Sequence, residues 1–163
     1  MASWWVSKVR QFRVHLVARV TADERAGLAD WTTDAQRRLF DQMHVADRRH
    51  GLDVVTTLRQ RGVTDPDVLL AGLLHDAGKG RTGVWPRVAY SLGQAWGPWV
   101  WRMAAHVPGL ADPLVRLRTH ATTSALLAAA AGCPERTVSL IRHQDAPRDP
   151  VFGELLRLAD EAN

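Results

Sequence analysis

The sequence has little of what secreted and membrane proteins depend on. It contains one cysteine, Cys133, so we expect no internal disulfide and a reducing, cytoplasmic compartment. No window approaches the roughly 18 consecutive apolar residues that cross a bilayer. The first twenty residues lack an uninterrupted apolar stretch followed by a cleavage site, so no signal peptide is expected. These absences argue against a disulfide-rich secreted fold and against a membrane-spanning one.

Strand patterns are also scarce, because β-branched residues rarely alternate with polar ones over several positions. Apolar residues at helical spacing are widespread instead. Helix-entry signals recur, such as the capping-type Thr21 before an acidic turn and the Asp65-Pro66 pair. We therefore predict an all-α protein, and Gly62 and Gly132 are expected to end two of its helices.

At 163 residues the chain is most simply a single domain. We predict an N-terminal helical extension over residues 1–43 and a helical core over residues 44–163. The extension begins with a basic amphipathic helix at 4–19. The core contains a long helix at about 45–61 and a tryptophan-rich helical insertion. Its last helix, "VFGELLRLADEAN", is expected to pack on the helix that precedes His75 and to bury its three central leucines, Leu155, Leu156 and Leu158.

The charge balance is basic, with a formal net charge of +4 and a pI of about 10.2. Such a balance favours an anionic partner, for example a phosphorylated small molecule, a nucleic acid or an acidic lipid. The arginines are scattered rather than clustered, so a dedicated nucleic-acid role is not expected. The sequence leaves the oligomeric state open.

Histidines and aspartates recur next to apolar helical positions. His75 and Asp76 end the apolar run of "LLAGLLHDAGKG". His50, His120, His143 and Asp160 each belong to a different helix, with His120 expected at the start of its helix. A lone histidine on a helix usually has no metal, and His15, His44 and His106 are interpreted in that way. Imidazoles and carboxylates buried in an apolar bundle need partners, and a metal ion between helices supplies one.

The sequence resembles the HD-domain superfamily of metal-dependent phosphohydrolases from about His44 to Asn163. "LLHDAGKG" matches the family's His-Asp-small-Gly-Lys motif, and "RRHGLDVV" stands where its first histidine is expected. "LRLADEA" resembles the final helix with the last aspartate. "THATTSALLAAAAGCPERTVSLIRH" is similar to the intermediate segment of members that bind two metals.

The resemblance implies a metal-dependent phosphohydrolase that acts on a small phosphorylated compound or nucleotide, with Asp76 and Lys79 as catalytic residues. Asp76 would bridge to a second ion, and Lys79 would contact a phosphate. The ion would be divalent, Mn, Fe, Co, Ni, Zn or Mg, with one or two bound. The implied ligands of the first ion are His50, His75, Asp76 and Asp160. Those of the second are the bridging Asp76, His120 and His143.

The chain also departs from parts of this superfamily. Gln144 replaces a second histidine in "RHQDAPRDP", and the Gly-Tyr-Pro motif of the cyclic-dinucleotide branch is missing, which argues against cyclic di-GMP hydrolysis. The same ligand order occurs in a branch of di-iron oxygenases. Two alternatives therefore remain open, namely an oxygenase of this kind and a regulatory module that binds metal or ligand without efficient turnover.

Four tryptophans with nearby arginines form a separate feature of the sequence. A helical subdomain packed over the core is the favoured interpretation, because tryptophan buries a large area. A lid over the substrate and weak association with an acidic membrane surface are the alternatives. The N-terminal segment repeats this combination of residues. The residues concerned are Trp85, Arg87, Trp96, Trp99, Trp101 and Arg102, and near the N-terminus Trp4, Trp5, Lys8, Arg10 and Arg13.

Overall fold

The computed structural model describes residues 18–80 and 82–163. This part of the chain forms nine α-helices and no strand, which confirms the all-α prediction. The helix predicted at 4–19 lies almost wholly outside the described residues. Two short 3-10 helices, Gly27–Asp30 and Ala77–Lys79, join the others. The α-helices are α1 (Ala22–Ala26), α2 (Asp34–Gln42), α3 (Val45–Gln60), α4 (Pro66–Leu74), α5 (Val84–Trp96), α6 (Pro98–Ala105), α7 (Ala111–Ala130), α8 (Glu135–Arg142) and α9 (Phe152–Ala162).

Local capping chemistry accounts for several helix boundaries. Thr21 and Thr33 each complete a capping box with the residue three positions later, so two exposed backbone N–H groups are satisfied at each entry. The side chain of Asp65 caps α4 next to a proline in the first turn. Gly62 and Gly132 follow helix ends with φ angles of 81° and 73°, which is the left-handed region that glycine occupies without a steric penalty.

The central element is α4, which is buried on all sides from Val68 to Leu74. Helices α3, α8 and α9 pack around it, so the predicted contact between the last helix and the helix before His75 is confirmed. The closest approach occurs at Gly51 of α3, where a Cβ atom would lie 2.5 Å from the carbonyl oxygen of Leu73. The α3–α4 pair can therefore bring its histidines close together.

Two details of the helices differ from the predictions. His120 lies in the middle of α7 rather than at its start, because the helix already begins at Ala111. In α9, Leu156 is buried and Leu155 is partly buried, whereas Leu158 is exposed. Two residues along a helix correspond to a rotation of about 200°, so Leu156 and Leu158 point in nearly opposite directions. The inward stripe continues to Ala159 instead.

The tryptophan-rich segment forms the helix pair α5 and α6. Trp101 is partly buried and stacks on Tyr90, with ring centroids 5.8 Å apart. Trp101 therefore packs within the helix pair, whereas the other three tryptophans of the segment are exposed. Within the described ranges, no helix is both long and apolar enough to cross a membrane.

Candidate metal centre

Three of the predicted ligands meet where α3, α4 and α9 come together. Nε2 of His50 lies 2.7 Å from Oδ1 of Asp160, and Nε2 of His75 lies 3.4 Å from the same oxygen. The ligand atoms of these three residues all lie within 4.8 Å of one another, as a metal site requires. The His75 side chain is only 2% exposed, whereas that of Asp160 is 43% exposed. His75 therefore forms the buried side of the group, and Asp160 forms the side that solvent can reach.

Asp76 lies beneath this group and faces three imidazoles. Its Oδ1 is 3.5 Å from Nε2 of His75 and 3.7 Å from Nε2 of His120, and its Oδ2 is 3.9 Å from Nε2 of His50. Oδ1 of Asp76 and Nε2 of His75 are buried and have no hydrogen-bond partner in the described part of the chain. Unpaired buried polar atoms are costly, so these two atoms are available to a ligand that the cluster surrounds.

The backbone of α4 sets the orientation of His75. Its Nδ1 lies 2.9 Å from the carbonyl oxygen of Gly72, and because a carbonyl can only accept, Nδ1 donates this hydrogen bond. Once its proton is lost, Nε2 can offer a lone pair to an ion. Metal-binding histidines commonly have their second nitrogen fixed in this way.

The electrostatics of the cluster reflect its burial and its mixed charges. Burial alone would lower the pKa of His75, but the carboxylates of Asp76 and Asp160 raise it to about 9. Burial alone would raise the pKa of both aspartates, yet the surrounding imidazoles hold each below its usual range, with Lys79 contributing at Asp76. The carboxylates are therefore ionised at neutral pH.

Lys79 forms an ion pair with Asp76 at the edge of the cluster. Its Nζ lies 2.5 Å from Oδ2 of Asp76, and the lysine side chain is 22% exposed. Burial alone would lower the pKa of Lys79, but the charges of Asp76, Asp47 and Asp160 raise it. The lysine thus stays positively charged and occupies one oxygen of the aspartate, leaving Oδ1 for the imidazole side.

His120 approaches the cluster from α7, but Gln144 occupies its free nitrogen. Nδ1 of His120 donates to the carbonyl oxygen of Leu117 at 2.7 Å, and Nε2 lies 3.0 Å from Nε2 of Gln144. Burial and, to a smaller extent, the positive charge of Lys79 lower the pKa of His120. The ring is therefore neutral, and its Nε2 accepts the hydrogen bond from the side-chain amide of Gln144. A second ion would have to displace Gln144 before it could bind His120.

The structure does not bring His143 into the cluster. It follows the last residue of α8, and its Nδ1 donates to the carbonyl oxygen of Ser139 at 2.9 Å. Its ring lines a small surface pocket of about 20 Å³ together with Arg148 and Asp149. No hydrogen bond or ion pair of the described residues connects His143 to the cluster. The next residue along the chain, Gln144, is the one that turns inward.

Sequence reasoning missed a supporting pair beside the site. Asp47 is buried one turn before His50 on α3, and Arg87 of α5 binds both of its oxygens at 2.7 and 2.8 Å. Burial alone would lower the pKa of Arg87, but the hydrogen bonds to Asp47 outweigh it and raise the pKa above its usual value. The spacing of Asp47 from His50 places both on one face of a helix, which was the signal available in the sequence.

Comparison with known proteins gave no match to a family model, to a curated protein or to a solved structure. The assignment of the cluster therefore depends on its geometry and on the sequence motif.

We predict that the metal-free protein loses stability as His75 loses its proton. The folded-state pKa of about 9 lies above the ordinary value of about 6.5, so the stabilisation is complete below pH 6.5 and disappears as the pH rises through 9. The expected loss is up to roughly 3 kcal/mol. Urea unfolding of chelator-treated protein at pH 6.5 and pH 9 measures it.

The variants His75→Gln and His106→Gln provide the comparison. His75→Gln should flatten the dependence on pH, and His106→Gln, at an exposed histidine, should keep it. Both retain Cys133, whose pKa is raised by burial to about 11, so its contribution cancels. Equal slopes in the wild type and His75→Gln would contradict the prediction.

Proposed function

We propose that this protein is a metal-dependent phosphohydrolase of the HD type that acts on a small phosphorylated compound or nucleotide. The observation that carries the proposal is the convergence of His50, His75 and Asp160 over a buried, ionised Asp76. The motif "HDAGK" places the histidine, the aspartate and the lysine of this cluster within five residues, as the resemblance requires.

The donor set fits a divalent metal ion. His75 has a fixed ring and a buried Nε2 without a partner, and Asp76 has a buried Oδ1 without one. Together with His50 and Asp160 they offer two imidazole nitrogens and two carboxylates, a mixture that suits Mn, Fe, Co, Ni, Zn and Mg. We infer that this set holds the principal ion, and that a second ion would use Asp76 and His120 after Gln144 has moved.

The side chains have separate tasks in this proposal. The ion, when bound, polarises a phosphoryl oxygen and lowers the pKa of a bound water. Asp76 and Asp160 keep the negative charge that holds the ion, and Lys79 keeps Asp76 ionised and oriented. The Nζ of Lys79 also supplies a positive charge for a substrate phosphate. The substrate would enter from the side where His50 and Asp160 are partly exposed.

A metal-loaded activity screen tests the proposal. The chelator-treated protein would be reloaded with each of the six ions and assayed for phosphate release from nucleotides and phosphate esters. His75→Ala removes a ligand, and His106→Ala removes an exposed histidine of α6's end as the matched control. We expect activity in the wild type and in His106→Ala, and a loss of at least about 100-fold in His75→Ala.

Other outcomes of the same screen point elsewhere. If the wild type never exceeds His75→Ala with any ion or substrate, the hydrolase proposal fails. Metal bound without turnover would then support the regulatory module. Tightly held iron with a mixed-valence signal and oxygen consumption would support the oxygenase.

A further inference from the structure

An exposed apolar surface lies on the helix pair α5 and α6. We name it the tryptophan face and define it by Trp85, Trp96, Trp99 and Met103. Their exposed fractions are 75%, 56%, 56% and 65%. Large apolar side chains this exposed and this close together are unusual on a protein surface, so they mark a site of interaction.

Trp96, Trp99 and Met103 follow one another around the corner between the helices, and Trp85 lies on the same side of α5. Trp85 and Trp96 are eleven residues apart on α5, which places them on the same side of the helix about 16 Å from each other. Nε1 of Trp99 donates to the carbonyl oxygen of Trp96 at 2.8 Å, so the two residues adjoin at the corner between the helices. Met103 follows Trp99 by one turn of α6.

The opposite side of α5 faces the body of the protein. Arg87 points there and binds Asp47, and Tyr90 is half-buried, with a pKa raised by burial and by the charge of Asp145. One side of α5 therefore packs against the protein, and the other side is exposed.

The segment of the sequence that contains the tryptophan face is basic. Residues 81–120 contain five arginines and one aspartate, a net charge of +4, which equals that of the whole chain. Three of these arginines, Arg102, Arg116 and Arg118, are exposed. Residues 81–120 are thus one of two basic stretches of the chain, the other being residues 1–20. A partner for this face should be apolar in part and negatively charged.

We propose that the tryptophan face docks onto an anionic lipid bilayer surface. Tryptophan favours the interface between hydrocarbon and headgroups, and arginines beside it are attracted to acidic headgroups. A second copy of this face would bring arginines against arginines. The N-terminal residues 1–20 are an equally poor occupant, because they contain four basic residues and no acidic one. The inference does not depend on the proposed enzymatic function.

Vesicle binding by the full-length protein tests this inference. Co-sedimentation would be measured with vesicles of equal parts phosphatidylcholine and phosphatidylglycerol, and with vesicles of phosphatidylcholine alone. We expect binding to the mixed vesicles with a blue shift of tryptophan fluorescence, much weaker binding to the neutral ones, and weakening with added salt.

Surface substitutions locate the binding. Trp96→Ser combined with Trp99→Ser should reduce affinity for the mixed vesicles by at least about tenfold. Arg102→Gln should reduce it roughly fivefold. The matched controls are Leu126→Ser, an exposed apolar residue of α7, and Arg142→Gln, an exposed arginine of α8, and both should bind like the wild type. Circular dichroism would verify that each variant is folded.

Several results would overturn the proposal. These are no binding to mixed vesicles, equal binding to both kinds of vesicle, and wild-type binding by both the tryptophan and the Arg102 variants. The last result would assign membrane binding to another segment. Concentration-dependent dimerisation that the Trp96→Ser, Trp99→Ser variant abolishes, without vesicle binding, would assign the face to a second copy.

Discussion

Replacing Asp76 by asparagine is expected to abolish metal binding and to destabilise the metal-free protein at the same time. The carboxylate faces three imidazoles and accepts from Nζ of Lys79, so its charge serves both the ion and the lysine. Affinity for the ion should fall by at least about 100-fold. The free energy of unfolding should fall by about 3–5 kcal/mol, because Lys79 loses its buried partner. Elemental analysis after metal loading and urea unfolding measure the two effects.

Two further variants separate the loss of metal from the loss of stability. Asp160→Asn removes a proposed ligand whose side chain is 43% exposed and which, unlike Asp76, is not paired with Lys79, so metal should be lost at a smaller cost in stability. Asp76→Asn combined with Lys79→Met removes both charges of the buried pair and should recover stability but not metal binding. Normal metal content in Asp76→Asn would show that Asp76 is not a ligand. A double variant as unstable as Asp76→Asn would show that the ion pair is not the cause.

Local chemistry made the helices predictable. The capping threonines, the Asp65-Pro66 entry and the glycines after two helix ends act within a few residues, so the sequence pattern contains them. Burial within a helix was less predictable. The leucines of α9 form a run in the sequence, but only those at the correct angular spacing face the core, and Leu158 does not.

The site was predictable to the extent that it depends on helix ends and the "HDAGK" motif. Contacts between distant segments were predictable only where the family resemblance implies them, as for His50, His75 and Asp160. Two contacts that it does not imply are the hydrogen bond between Gln144 and His120, which are 24 positions apart, and the ion pair between Arg87 and Asp47, which are 40 positions apart. The helical periodicity of the sequence does not predict contacts of this kind. His143 and Gln144 differ by one position, which turns one side chain outward and the other inward. An error of one residue at a helix end is enough to exchange them.

The two glycines of the motif, Gly78 and Gly80, also differ in this respect, since the role of one is local and the role of the other depends on packing. Gly80 has a φ angle of 62°, which glycine adopts without a steric penalty, so the turn after the motif requires it. Gly78 has a different role, which only the packing reveals. Its backbone N–H donates to the hydroxyl of Ser124 at 2.8 Å, and a Cβ atom would lie 2.6 Å from the carbonyl oxygen of His120. The residue is a glycine because the motif loop touches the backbone of α7.

Gly78→Ala is therefore expected to damage the fold and the site together. The added methyl group would meet backbone atoms of His120 and Ser124 that cannot rotate away, so the loop must move off α7 and carry Asp76 and Lys79 with it. We expect a loss of roughly 1–3 kcal/mol in the free energy of unfolding, measured in urea, and weaker metal binding.

Gly83→Ala is the matched control, since Gly83 has a φ of −66° and its added Cβ would meet nothing closer than 3.9 Å. Ser124→Ala should cost about 1–3 kcal/mol through the unsatisfied N–H of Gly78 while leaving the backbone contact intact. If Gly78→Ala unfolds like Gly83→Ala, the loop does not lie against α7 as described, and His120 is not held beside Asp76 by this contact.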